Sequence, residues 1–116
     1  MYTSSNEDGM DKMLAWMERE FTGLCFVNLV DFDMLYGHRN DVDGYAKALS
    51  VFDERLPEMI AKLREDDMLI ITADHGNADM LVNESGNPHT AHTTNPVPFC
   101  VTKEGIELHE TGNLGD

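Results

Sequence analysis

Two short stretches of the sequence each place an aspartate and a histidine close to a glycine. One is Asp74-His75-Gly76, and the other runs from Asp33 to His38. Carboxylate oxygens and imidazole nitrogens together are typical ligands of divalent cations such as Mn²⁺ and Zn²⁺. A neighbouring glycine allows the chain to turn, so that successive side chains approach one ion from different directions. Either pair alone would be unremarkable at a protein surface, but its repetition predicts a metal site.

Two more histidines, His89 and His92, fall in a long loop predicted over residues 78–95. Loops of this length inside a compact domain are usually functional or disordered, and the two histidines favour a function. The candidate metal ligands are therefore carboxylates and imidazoles, namely Asp33, His38, Asp74, His75 and one or both of His89 and His92. This set exceeds what one catalytic ion needs, so it predicts two ions that clamp a phosphoryl group between them.

Each aspartate–histidine pair follows an apolar run that predicts a buried strand, over residues 24–30 and 68–73. Between the runs, apolar residues at helical spacing predict a helix from position 41 or 42 to about position 64, with a break or kink at Pro57 or a new helix starting near it. Strand, helix and strand form a βαβ unit, whose parallel strands end at one edge of the sheet. We therefore expect the two metal loops to meet at that edge.

The remaining sequence predicts smaller elements. Met10, Met13, Met17 and Phe21 recur at helical spacing, which predicts a helix with Asp8 as its N-cap and its methionines in the core. A further strand is expected over residues 99–102 and a short one near residues 106–108. The predicted fold class is α/β, with a mostly parallel sheet and flanking helices in a single domain over residues 1–116.

Composition limits the partners. The chain has 116 residues and a formal net charge of −14, which disfavours nucleic acids and anionic membranes as partners. Cys25 and Cys100 each lie in an apolar run, which predicts two buried thiols and no disulfide framework. No apolar run reaches membrane-spanning length and no signal-peptide pattern is visible, so we expect a cytoplasmic protein.

Longer motifs carry a family resemblance. The stretch TADHGN at residues 72–77, followed by His92-Thr93, resembles the metal-binding core of the alkaline phosphatase superfamily, in its cofactor-independent phosphomutase branch. Residues 6–77 are similar to the C-terminal core of phosphopentomutases. Residues 66–116 are similar to 2,3-bisphosphoglycerate-independent phosphoglycerate mutases. The five-residue step from Asp33 to His38 favours the phosphopentomutase pattern.

The resemblance implies a role for each candidate. Asp33, His38 and His92 would bind one ion, Asp74 and His75 the other, and His89 would contact the phosphate or a ligand side chain. Mn²⁺ is the expected metal, with Zn²⁺ as the alternative. The implied reaction is intramolecular phosphoryl transfer on a phosphorylated sugar, from ribose 1-phosphate to ribose 5-phosphate. The alternatives are interconversion of 3- and 2-phosphoglycerate, or a metal-binding module without catalysis.

The resemblance also has gaps. The family's N-terminal aspartate ligand, its Ser or Thr nucleophile and its cap domain have no counterpart in these residues. We therefore expect the C-terminal part of a phosphomutase core, partly alkaline-phosphatase-like, that contains no catalytic nucleophile. Such a chain would be inactive alone, and its partner would be the N-terminal part of the same enzyme. A structural remnant that has lost metal binding is disfavoured, because the ligand positions are intact.

Overall fold

A computed structural model describes residues 3–37, 41–77 and 94–113 of the chain. The elements in these ranges are two helices, one π-helical segment and two strands: α1 (Asn6–Met17), the π-helical segment (Phe32–Gly37), α2 (Val42–Lys62), β1 (Ile70–Thr72) and β2 (Phe99–Val101). The mixture of helices and a small sheet is consistent with a partial α/β domain. No helix in the described part of the chain is long and apolar enough to cross a bilayer.

Helix α1 begins one turn earlier than the sequence indicates. Ser5 is the N-cap, with extended backbone and with its Oγ accepting from the Asp8 N–H at 3.1 Å. Asp8, predicted as the cap, instead lies in the first turn, where Oδ2 accepts from the Ser4 N–H at 2.8 Å. The helix ends at Met17 rather than near Phe21, because the Arg19 N–H closes a tight turn onto the Trp16 carbonyl.

Helix α2 matches its predicted range closely. Asp41 caps it by accepting from the Gly44 N–H at 2.9 Å. The predicted break at Pro57 is wrong, because the helix is continuous from Val42 to Lys62. Proline removes one backbone donor, but apolar residues on both sides of it, Phe52 and Met59 among them, pack into the core and hold the helix across that position.

The core lies between the two helices and the approach to β1. Its buried members are Met10 and Leu14 from α1, Met59 from α2 and Leu69. Met13 and Met17 pack against this cluster, which confirms the prediction that the methionine stripe of α1 faces the core. The core therefore joins α1 and α2 to the strand that leads towards Asp74 and His75.

The sheet differs from the predicted one. Strands β1 and β2 pair antiparallel, with Ile70 opposite Val101 and Thr72 opposite Phe99, and no parallel pair occurs within the described ranges. The strand predicted over residues 106–108 is absent, although these residues are described. Within the described residues, parallel strands therefore do not bring the two aspartate–histidine loops to one sheet edge.

The strand predicted over residues 24–30 is also wrong. These residues pair with no described strand, and Leu24 and Phe26 are 89% and 75% exposed. An apolar run forms a buried strand only where a neighbour satisfies its backbone and covers its side chains. Cys25 is half-buried and Cys100 exposed, both as free thiols, so the predicted burial of Cys100 is wrong.

Candidate metal centre

Three of the predicted ligands lie together. His75 Nε2 is 3.8 Å from Asp33 Oδ1 and 3.7 Å from Asp74 Oδ1. Asp33 and His75 are partly buried, whereas the Asp74 carboxylate is largely exposed. The remaining predicted site residues, His38, His89 and His92, lie outside the described residues. Among the described residues, the structure therefore brings Asp33 of one aspartate–histidine loop together with Asp74 and His75 of the other.

The π-helical segment sets the position of Asp33. It begins where the Val30 carbonyl accepts from the Asp33 N–H at 3.2 Å and from the Met34 N–H at 2.9 Å. Short π-helical turns are rare and are frequently found at functional sites. The sequence signalled a loop here but not its helical form.

Helix α2 also supports the π-helical segment. The Phe32 ring packs against the Tyr45 ring at a centroid separation of 5.4 Å. The Asp41 N–H donates to the Tyr36 carbonyl at 2.9 Å. A β-carbon on Gly44 would collide with Asp41 Oδ2 and would lie 2.6 Å from Tyr36 Cδ1, so glycine is required for this close approach. The segment is therefore fixed to the first turn of α2.

The second loop leaves β1 in a defined orientation. Thr72 Oγ1 donates to the Pro98 carbonyl at 3.0 Å, which holds the end of β1 beside the start of β2. His75 Nδ1 lies 3.2 Å from the Gly76 carbonyl. A carbonyl can only accept, so a hydrogen bond here requires the hydrogen on Nδ1, and Nε2, which faces the two carboxylates, is then the nitrogen placed to bind a metal.

Asn77 brings the two loops into contact. Its side chain lies beside Gly37, where an added β-carbon would be 2.8 Å from Asn77 Oδ1 and 2.9 Å from the Phe32 carbonyl. Asn77 is only 5% exposed, and both its Oδ1 and Asp33 Oδ1 are shielded from solvent. Sequence reasoning did not select Asn77 as a site residue. The available signal was its place directly after Asp74-His75-Gly76.

A second contact that sequence reasoning missed lies at the start of the first loop. The Asn6 backbone N–H donates to Asp31 Oδ2 at 2.8 Å, and the Asp31 N–H donates to Asn6 Oδ1 at 3.0 Å. Asn6 is 6% exposed. Asp31 directly precedes the π-helical segment, so this reciprocal pair ties the start of α1 to the start of the metal loop.

Asp33, Asp74 and His75 are side chains of the kinds that bind a divalent cation, but they are too few to hold one by themselves. Two carboxylates and one imidazole nitrogen suit Mn²⁺ or Zn²⁺, and the Asp33 oxygen is already removed from water. No group of three or more His, Cys, Asp or Glu side chains in the described ranges is arranged to hold an ion by itself. Asp33, Asp74 and His75 alone are therefore not a complete ion site among the described residues.

Comparison with known sequences places the chain in a family. A sequence profile of the metalloenzyme superfamily matches residues 1–116. The chain is 50% identical over 115 residues to a phosphopentomutase of Lachnoclostridium phytofermentans, an alignment that covers 99% of this chain and 27% of the relative. It is 48% identical over 115 residues to a phosphopentomutase of Acetivibrio thermocellus, covering 99% of this chain and 28% of that protein. The chain thus spans little more than a quarter of the length of these relatives.

Proposed function

Because the chain belongs to the metalloenzyme superfamily, we propose that it forms part of a phosphomutase that carries divalent metal ions. The reaction we assign is intramolecular phosphoryl transfer on a phosphorylated sugar, of the type that converts ribose 1-phosphate to ribose 5-phosphate. Identities of 50% and 48% to two phosphopentomutases, over nearly the whole of this chain, support that substrate class. They favour it over phosphoglycerate.

The approach of Asp33 to His75 is the observation that carries this proposal. Their side chains come from loops about forty residues apart, yet Nε2 and Oδ1 are separated by 3.8 Å. We propose that Asp33 binds one ion together with His38 and His92, which lie outside the described residues, and that Asp74 and His75 bind the second. His89 would contact the phosphate or a ligand side chain. We propose Mn²⁺ as the ion, with Zn²⁺ as the alternative.

The charges of these residues explain why metal ions are needed for the proposed reaction. The carboxylates of Asp33 and Asp74 lie in a chain of net charge −14, so without compensation they repel a phosphate monoester. Divalent ions bound there would polarise the phosphoryl oxygens and offset the negative charge that spreads over them during transfer. The protein's own contribution is to hold the two carboxylates and the His75 ring at one place.

The phosphoryl carrier is proposed to come from another segment. The Ser or Thr nucleophile of the phosphomutase branch has no counterpart among the motifs of this chain, and Thr72, next to the site, donates its hydroxyl to the Pro98 carbonyl. The relatives are about four times longer than the aligned region. We propose that residues 1–116 act as the C-terminal part of a phosphomutase core, with a phosphorylated small molecule as substrate. Its cytoplasmic location stays a prediction.

Joining the chain to complementary segments tests this function. The N-terminal and cap segments of a phosphopentomutase and of a phosphoglycerate mutase would each be fused to residues 1–116, and both fusions assayed on ribose 1-phosphate and 3-phosphoglycerate. Turnover is expected only from the phosphopentomutase fusion on the pentose phosphate. Turnover only from the phosphoglycerate fusion would reverse the substrate assignment. Mutase activity of the isolated chain would overturn the assignment of the nucleophile to another segment.

A further inference from the structure

We infer that Asn6 is a positioning residue for the metal centre: through its reciprocal hydrogen bonds with Asp31 it fixes the loop that carries Asp33. The inference rests on the proposed metal centre and adds to it a residue of a different element, 27 positions before the ligand in the chain.

The pair forms a closed ring that restrains both partners. One bond runs from the Asn6 backbone to the Asp31 side chain at 2.8 Å, and the other from the Asp31 backbone to the Asn6 side chain at 3.0 Å. Asn6 is the first residue of α1, where the helix dipole favours a carboxylate and the first N–H groups lack partners within the helix. Asp31 therefore stabilises the helix end while the helix fixes both the backbone and the side chain of Asp31.

The restraint passes directly to Asp33. Val30, the residue before Asp31, offers the carbonyl that accepts from the Asp33 and Met34 N–H groups. A rotation of the backbone at Asp31 would therefore turn the first peptide units of the π-helical segment. Because Asp33 Oδ1 and His75 Nε2 are 3.8 Å apart, a displacement of about 1 Å would change how the Asp33 carboxylate is placed relative to the rest of the proposed centre.

The packing of α1 makes its end a suitable support. A β-carbon on Gly9 would lie 3.0 Å from Leu29 Cδ2 and 3.3 Å from Val27 Cγ1, so the helix sits directly against the segment that leads to Asp31. Met10, one residue further, is 1% exposed in the core. Hydrophobic burial thus holds α1 in place without Asn6. The two hydrogen bonds between Asn6 and Asp31 then set the orientation of the loop.

The experiment compares Asn6→Ala with Ser5→Ala in the full 116-residue chain. Ser5 caps the same helix end through the Asp8 N–H, and among the described residues its side chain makes no hydrogen bond to residues 31–37, so S5A controls for loss of helix stability. Mn²⁺ affinity is measured by calorimetry, together with folding stability by urea unfolding. N6A is expected to bind Mn²⁺ about 10-fold or more weakly than wild type, the usual effect of removing a side chain that orients a ligand, and S5A within about 2-fold.

Amide hydrogen exchange without metal gives a second readout. In N6A, exchange at the Asp33 and Met34 amides should accelerate, whereas S5A should leave both at the wild-type rate. Asn6→Asp retains an acceptor for the Asp31 N–H and should retain most of the protection, which keeps the test valid if N6A folds poorly. Equal Mn²⁺ affinity in N6A, S5A and wild type, or unchanged exchange in N6A, would overturn the inference.

The proposed metal centre can be tested separately from the role of Asn6. If wild-type chain and Asp33→Asn bind Mn²⁺ equally or not at all, the metal centre itself is wrong and the inference falls with it. If D33N weakens binding and N6A does not, the metal centre stands and only the role of Asn6 is wrong.

Discussion

Asn77 Oδ1 occupies the space beside Gly37, only 2.8 Å from where a β-carbon on that glycine would lie. The two residues belong to the two separate loops that supply Asp33 and His75. Their contact therefore sets how closely the loops approach, and any side chain at position 37 would force them apart or displace the Asn77 amide.

Gly37→Ala should lower both folding stability and metal affinity. The added methyl group would meet Asn77 Oδ1 and, at 2.9 Å, the Phe32 carbonyl, a backbone atom that cannot simply rotate away. Such overpacking costs about 1–3 kcal/mol. Urea unfolding measures the stability and calorimetry the Mn²⁺ affinity.

Gly105→Ala is the matched control for that variant. Gly105 has a φ of +81°, and no described atom beyond its chain neighbours lies within 4 Å of an added β-carbon, so the substitution strains the backbone away from the described part of the site. It should lower stability by about 1 kcal/mol and leave Mn²⁺ affinity unchanged. Metal affinity that falls equally in both variants would show that stability alone, and not the Gly37–Asn77 contact, governs binding.

The elements predicted well are those whose signal is local and repeated. Helix α2 and the core-facing methionines of α1 follow from apolar residues at helical spacing, which depends on no other part of the chain. The β2 strand, at residues 99–101, also matches its predicted position. The strand predicted at residues 24–30 failed because burial of an apolar run depends on neighbours that the run itself does not specify.

The sequence predicted which residues form the candidate site, but it did not predict the contacts that arrange them. Asp33 and His75 do lie together, although the parallel strands expected to bring them there are not among the described elements. The contacts that support the site, Asn6 with Asp31 and Gly37 with Asn77, join residues 25 and 40 positions apart. Such polar pairs leave no periodic pattern, so composition and spacing could not have revealed them.

Pro57→Ala should raise the stability of the folded chain. Pro57 lies on an exposed part of a continuous helix and has no N–H to donate to the carbonyl of Asp53, four residues before it. Restoring that donor should add about 1–2 kcal/mol, after allowance for the greater freedom that alanine gives the unfolded chain. Glu58→Ala, at the next exposed position, should change stability by less than about 0.5 kcal/mol. A loss of stability in P57A would contradict the account of α2.

Asp8 should contribute a stability that depends on pH. The Ser4 backbone N–H, followed by Lys12, holds the pKa of Asp8 below its ordinary value of 3.8. Because the folded-state pKa is the lower one, the stabilisation is fully present above 3.8 and is lost as the pH falls through the folded-state pKa.

Urea unfolding of wild type and Asp8→Asn over a pH series measures this contribution. The wild-type advantage should be constant near neutrality and shrink in strong acid. Lys12→Met, which keeps the bond from Ser4, should retain part of it. An advantage of wild type over D8N that grows as the pH falls would have the wrong sign.

The most direct test of the central claim, that Asp33 and His75 belong to one metal centre, is calorimetric titration of the chain with Mn²⁺. Wild type would be compared with Asp33→Asn, His75→Gln and Asp53→Asn, the last removing an exposed carboxylate of α2 as a control for charge. We predict that D33N and H75Q each weaken binding at least about 10-fold, while D53N binds like wild type. Binding by D33N and H75Q that equals binding by D53N would contradict the account.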